Sequence, residues 1–266
     1  MKKIIALTQD QTISSTQRVI LKETELEERR RGQTITPEEY FELAKIKLFI
    51  NKTDTPFCTE AIEVCLEAIQ KDKVTAYTYD YLVYLYLTKR SYYETSAHPQ
   101  KKRMIGLAQR QVNSTFQAAR TKGIVVASTY YQMGNLYCSQ KETGEEKKLY
   151  EDAIARFSIT PNSLAPTAEE AFKMLDMYNQ LVKIYLLDAD PSMIDDFPVM
   201  LQNYTNANRV LRSIPDFLAH ARTLFRGTEA EFRQNIFRIM LDIYASLARI
   251  TPDPVNKIRF LTEVIS

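Results

Sequence analysis

The chain has 266 residues, of which 45% are hydrophobic and 26% charged, a composition that excludes wholesale disorder. Lys and Arg number 35 against 33 for Asp and Glu, a formal net charge of +2, which argues against a dedicated nucleic-acid binder. Only 6 Gly and 10 Pro are present, too few for an all-β chain with a turn every ten residues or so.

Residues 1–13 read as a loose leader. The apolar run of MKKIIAL stops at Thr8, short of the roughly 7–15 residues of a secretory signal. No stretch reaches the ~18 apolar residues that span a bilayer. A cytoplasmic location without membrane contact is expected, with export by a non-Sec machine left open. Ser14 to Arg31 reads as a charged helix stopped by Gly32, and residues 1–35 together form a leader and capping helix. The basic runs ERRRG (28–32) and QKKRM (100–104) are short, and the first follows the acidic ETELEE, so a solvated helix of mixed charge is expected there.

Thr36, Pro37 and Glu39 combine an N-cap, a proline at the first helical position and a capping-box acid. They open a helix through about Ile50. TDTPF (53–57) starts another, with an apolar stripe of Ile62, Cys65, Leu66 and Ile69. In YTYDYLVYLYL (77–87), Tyr77, Tyr79 and Tyr81 alternate as on a strand, while Tyr79, Leu82, Val83 and Tyr86 share one helical face. After a break at SAHPQ (96–100), a helical period runs to Gly123. Further helical pieces span roughly 125–140, 144–158, 166–187, 191–213, 216–226, 228–250 and 254–265. In the last, Val255, Ile258, Leu261 and Ile265 make an apolar stripe suited to a terminal cap over 251–266. Continuation beyond residue 266 is left open.

Internal repetition decides between strand and helix. Tyr79-x-x-Leu82-Val83-x-x-Tyr86 returns as Tyr130-x-x-Met133-Gly134-x-x-Tyr137 and as Tyr178-x-x-Leu181-Val182-x-x-Tyr185. A fourth copy is Phe237-x-x-Met240-Leu241-x-x-Tyr244, and a weaker one Phe41-x-x-Ala44-Lys45-x-x-Leu48. Spacing of i, i+3, i+4, i+7 forms a packing face only on a helix.

This octad resembles the first helix of a tetratricopeptide repeat, W-x2-L-G-x2-Y followed by A-x3-F and P. The best copy runs from about Ala127 to Pro161, with Tyr150 and Ala153 at the second-helix positions. Gly134 would let that second helix approach closely. Val83, Val182 and Leu241 replace the small residue, and the octads lie 38 to 59 residues apart against a family period of 34. The resemblance implies an all-α fold of antiparallel helical hairpins stacked as a tetratricopeptide-like right-handed superhelix, or α-solenoid, over residues 36–250. The alternative architecture is an irregular all-α domain with the octads as core.

The resemblance also implies a concave groove, lined by residues one position after each octad's first aromatic and four further on. These are Asp80 and Tyr84, Tyr131 and Asn135, Asn179 and Lys183, then Arg238 and Asp242. Tyr77 and Ser128, three residues upstream, extend the row. Tyrosine supplies rigid apolar area with a hydrogen-bonding tip, and asparagine can pair with a peptide backbone. For Tyr77, Tyr84 and Tyr131, groove and core both remain open. The family's carboxylate clamp of lysines and asparagines is matched only at Asn135.

Catalytic and metal motifs are missing. His98 and His220 have no ligand spacing with Cys or carboxylates. An EF-hand beginning at Asp188 fails, because Met193 and Val199 stand where Gly and Glu are required. Asp190 and Pro191 read instead as an N-cap and first helical residue. Cys58, Cys65 and Cys138 lack motif spacing and read as reduced thiols, the first two buried. No cofactor or metal is expected. The expectation is a non-catalytic scaffold or adaptor binding a protein or peptide partner. A client-sequestering all-α regulator or secretion-type chaperone is the alternative, and an enzyme on an irregular helical fold comes next. Oligomeric state is not legible.

Overall fold

The computed structural model describes residues 15–51, 59–188 and 197–227, with some positions between 230 and 241. Every element among the described residues is a helix. The chain divides into two compact units, Met1–Val125 and Val126–Ser266, each with its own core. The predicted leader, the TDTPF helix start, the acidic residues 190–196, Cys58 and the C-terminal stripe lie outside the described residues.

The first unit contains α1 (Ser15–Arg31), α2 (Pro37–Ile50), α3 (Thr59–Gln70), α4 (Ala76–Thr95) and α5 (Lys101–Lys122). The tyrosine stretch is helical, within α4. That helix opens with Thr75 accepting the Thr78 N–H and Thr78 accepting the Thr75 N–H. The predicted start of α2 is also present: Thr36 caps the helix, Pro37 follows, and Glu39 accepts the Thr36 N–H at 2.9 Å. Gly123 closes α5 with φ of 73°, the left-handed conformation that glycine adopts without steric penalty. Helix α1 stops before Gly32 as expected, but the left-handed residue there is Gln33, at φ 58°.

Helices α2 and α3 form one hairpin and α4 and α5 a second, with α4 also touching both α2 and α3. In α4, Tyr79, Leu82, Val83 and Tyr86 are buried, as the octad requires. In α2 the buried face starts one residue earlier than the sequence suggests. Tyr40, Leu43 and Ala44 are buried, whereas Phe41 is half-exposed and Lys45 exposed. The copy in α2 is therefore Tyr40-x-x-Leu43-Ala44-x-x-Lys47, with alanine at the small position.

Helix α1 joins α2 and α3 through ion pairs, which corrects the expectation of a merely solvated mixed-charge helix. Lys47 Nζ lies 2.7 Å from Glu23 and 2.9 Å from Glu27. Arg30 Nε donates to Glu67 at 2.8 Å, Tyr40 donates to the other Glu67 oxygen at 2.9 Å, and Lys71 Nζ reaches that oxygen at 2.7 Å. Partial burial pushes the Glu67 carboxyl up, but donors from Arg30, Lys71 and Tyr40 outweigh it and hold the group down at about 2. Its charged form is therefore bound more tightly in the folded chain than in the unfolded one.

The second unit contains α6 (Ala127–Ser139), α7 (Thr143–Ile159), α8 (Pro161–Leu164), α9 (Ala168–Leu187), α10 (Phe197–Arg212) and α11 (Ile214–Leu224). Helices α6 and α7 form a hairpin, and α9 packs on α6, α7, α10 and α11. The predicted role of Gly134 is visible. A Cβ built there would lie 2.2 Å from Tyr150 Oη and 2.4 Å from its ring, so the buried Tyr150 ring of α7 occupies the space that a side chain would need. Burial drives the Tyr150 phenol well above its ordinary range, with Glu146 adding to it. The fourth octad departs from expectation: Phe237 and Leu241 are exposed, so that copy does not bury its leading aromatic.

A Thr-x-x-Glu sequence opens α9 as well, yet only half of the capping box forms. Thr167 accepts the Glu170 N–H, but the Glu170 carboxylate accepts the Ser128 N–H at 2.6 Å. This buried acid thereby caps α6, which has no side-chain cap of its own, and its charge faces the positive end of that helix.

Gly134→Ala should destabilise the chain by about 1–3 kcal/mol in urea unfolding, and the loss should shrink in a Tyr150→Ala background; equal losses in both would remove the contact from the account. Because the folded-state pKa of Glu67 is depressed, its contribution is fully present above the unfolded value near 4.5 and is lost as pH falls toward about 2. Glu67→Gln should lower stability at pH 7 by on the order of 1–2 kcal/mol and flatten the stability profile across that acid window.

Candidate functional site

Helix α4 carries two aromatic faces. Its octad points Tyr79 and Tyr86 into the core. On another face Tyr77, Tyr81 and Tyr84 recur at i, i+4 and i+7; Tyr77 and Tyr81 are half-buried, and Tyr84 is 45% exposed. Phe41 of α2 joins them. Its ring stacks on Tyr77 with centroids 6.0 Å apart and meets Tyr81 edge-on at 5.7 Å, while Tyr81 stacks on Tyr84 at 5.8 Å. Offset-stacked and edge-on pairs of this kind are favourable beyond the area that they bury.

The aromatic cluster borders a cleft of about 380 Å³ lined by Val19 of α1 and by Phe41, Glu42, Lys45, Ile46 and Phe49 of α2. Phe49 is 60% exposed, and the neighbouring Ile20 is also exposed. The Lys45 ammonium lies 5.4 Å from the Phe41 ring centroid, a cation–π contact. This lining offers apolar area and two charges, and the bordering tyrosines add phenol oxygens.

The other groove candidates have separate fates. Asp80 is half-buried on α4. In the second unit, Tyr131 is half-buried and Asn135 exposed on α6, and Lys183 is half-buried on α9. Burial raises the carboxyl pKa of Asp176, and the Lys183 charge partly offsets this. Asn179 corrects the groove expectation, being 4% exposed, with Oδ1 lacking a hydrogen-bond partner among the described residues. Ser128 is buried too, beside its backbone contact with Glu170. Both follow from the central place of α9, which packs against four helices and leaves little of its surface free. Arg238 and Asp242 lie outside the described residues.

Phe41, Tyr81 and Phe49 were missed as candidates. With the register of α2 corrected, Phe41 and Lys45 fall at the positions equivalent to Asp80 and Tyr84. Tyr81 was legible as the middle of the 77, 81, 84 spacing, a second helical face in the same eleven residues.

The remaining reactive groups have structural partners or settings. His220 pairs with the Ala165 carbonyl at 3.1 Å and packs edge-on against Phe157. His98 accepts the Gln100 N–H. Burial pushes the Cys65 thiol up to about 12, which makes it the inert apolar residue that the sequence suggests; Cys138 is exposed. Among the described residues, no three His, Cys, Asp or Glu side chains converge as metal ligands, and no helix is long and apolar enough to cross a membrane.

No protein-family model matches the chain, and no curated protein or solved structure matches it.

Proposed function

We propose that this protein is a non-catalytic interaction scaffold of tetratricopeptide-like helical hairpins, which binds a protein or peptide partner in the cytoplasm. The observation that carries this reading is the cluster of touching rings Phe41, Tyr77, Tyr81 and Tyr84, half-buried except for the exposed Tyr84, beside the cleft lined by the exposed Phe49. Partly exposed aromatics in contact with one another lose little side-chain freedom on binding and present apolar area.

Hairpin adjacency within each unit supports the repeat reading. In the first, α4 touches both helices of the α2–α3 hairpin; in the second, α9 touches both helices of the α6–α7 hairpin. A stacked array needs that arrangement, because each new hairpin buries its leading helix against both members of the one before. Phe41 and Lys45 of α2 then occupy the outward positions that Asp80 and Tyr84 hold on α4, the next leading helix. A partner segment laid across α2 and α4 would bury its apolar side chains on these rings, while Glu42, Lys45 and the phenol oxygens fix its register.

The test is partner capture and affinity measurement with wild type, Phe49→Ala/Tyr84→Ala and, separately, Asn135→Ala. Both aromatic positions are exposed, so the double variant should change stability by no more than about 0.5 kcal/mol per site. It should weaken the captured partner's affinity by tenfold or more, in keeping with about 2 kcal/mol or more for a hot-spot aromatic. Binding that survives the double variant but falls with Asn135→Ala would move the site to the second unit. Loss of folding in the double variant would return these side chains to the core.

A further inference from the structure

The near-neutral net charge hides a segregated distribution. No acidic residue occurs between Glu94 and Glu142. Helix α5 lies inside that interval and carries Lys101, Lys102, Arg103, Arg110, Arg120 and Lys122 with no Asp or Glu. Packing and local structure account for half of these cations. Arg120 and Lys122 sit in the last turn, where positive charge meets the negative end of the helix dipole. Lys122 also pairs with Asp72 at 2.6 Å, and the Arg120 guanidinium lies over the Phe116 ring. Lys101 donates to the Glu94 carbonyl oxygen.

Lys102, Arg103 and Arg110 have no such explanation. All three are exposed, and none has a hydrogen bond or ion pair among the described residues. The first two stand in the first turn, against the dipole, where acids are favoured. Glu94 at the end of α4 pairs with Arg90 at 2.8 Å, and Asp72, before α4, pairs with Lys122. An uncompensated breach of a local rule on a solvent face is the pattern expected of a surface kept for another purpose. The face is continuous. Arg103, Leu107, Arg110, Ser114 and Gln117 follow at helical spacing, all exposed, opposite the buried Ala108, Val112, Phe116 and Ala119. Arg103 and Arg110 are about 10 Å apart along the axis, with Leu107, 38% exposed, between them.

We infer that this face of α5 docks an acidic segment of a protein partner. Two carboxylates spaced by two helical turns would meet Arg103 and Arg110, and an apolar side chain between them would cover Leu107. Charge complementarity selects the partner class. Three free cations are too few for the run of phosphate contacts that holds a nucleic acid. A single exposed large apolar residue gives a membrane little to hold. A short amphipathic acidic helix needs no more than this face provides. The inference is independent of the aromatic site on α2 and α4.

The test uses the full chain and a fluorescent Glu/Leu/Ala helical peptide about 20 residues long, roughly the length of α5, with glutamates at i and i+7 around leucine. Anisotropy titrations compare wild type, Arg103→Glu/Arg110→Glu, Arg103→Gln/Arg110→Gln and the control Lys141→Glu, all checked for helicity by circular dichroism. The expected result is binding by wild type and by the control that weakens with salt. The charge reversal should lose about tenfold or more, and the neutral variant should fall between. Absence of peptide binding, or binding indifferent to the reversal, would overturn the proposal. So would tighter binding of single-stranded DNA or of phosphatidylserine vesicles, measured in parallel.

Discussion

The fold depends on burying tyrosine. An octad of aromatic and aliphatic residues excludes water well, but each phenol brings a hydroxyl that is costly to bury without an acceptor. The same solution recurs. Tyr40 donates to Glu67 of α3, Tyr130 donates to Asp152 of α7 at 2.6 Å, and Tyr185 donates to Glu151 of the same helix. An acid on a neighbouring helix thus converts a packing residue into a directional one and fixes the relative height of the two helices. Burial of one such side chain contributes roughly 2–3 kcal/mol, and the hydrogen bond adds specificity more than energy. Gly134 and Tyr150 show the same economy sterically, with a missing side chain on one helix matched by a ring on the next.

Features set by local chemistry were legible in the sequence. Thr36, Pro37 and Glu39 need only their own neighbours to cap a helix, and the capping box is present. Repetition at helical spacing outweighed the strand-like alternation at Tyr77, Tyr79 and Tyr81, because the period of a buried face is a property of the segment itself. Features that depend on tertiary partners were not legible. Tyr40 and Phe41 are equivalent by period until a carboxylate on α3 selects Tyr40 for the interior. Glu170 has the sequence of a capping-box acid, yet its carboxylate reaches another helix. Asn179 matches a groove position by spacing, but α9 is packed from several sides and buries it. Part of the candidate aromatic face was legible in Tyr77 and Tyr84; the rest required knowing that α2 lies beside α4.

The α4–α5 hairpin thereby presents two unlike outer surfaces on one shared core. The outer face of α4 is aromatic, with phenol oxygens as its polar element, whereas α5 is basic and free of acids. A net charge of +2 over the whole chain conceals the second surface, since averaging over a sequence erases segregation that a helix preserves. Under the two proposals, surfaces of different chemistry on one hairpin would let separate segments be recognised without either disturbing the core that positions both.

Helix α4 divides its tyrosines between core and surface. Hydroxyl-radical footprinting of the free chain, read residue by residue by mass spectrometry, tests it most directly. Tyr84 and Phe49 on the adjoining cleft should oxidise rapidly, Tyr77 and Tyr81 more slowly, and Tyr79 and Tyr86 should be almost completely protected. Comparable oxidation at Tyr79 and Tyr84, or protection of Tyr84 in the free chain, would contradict it.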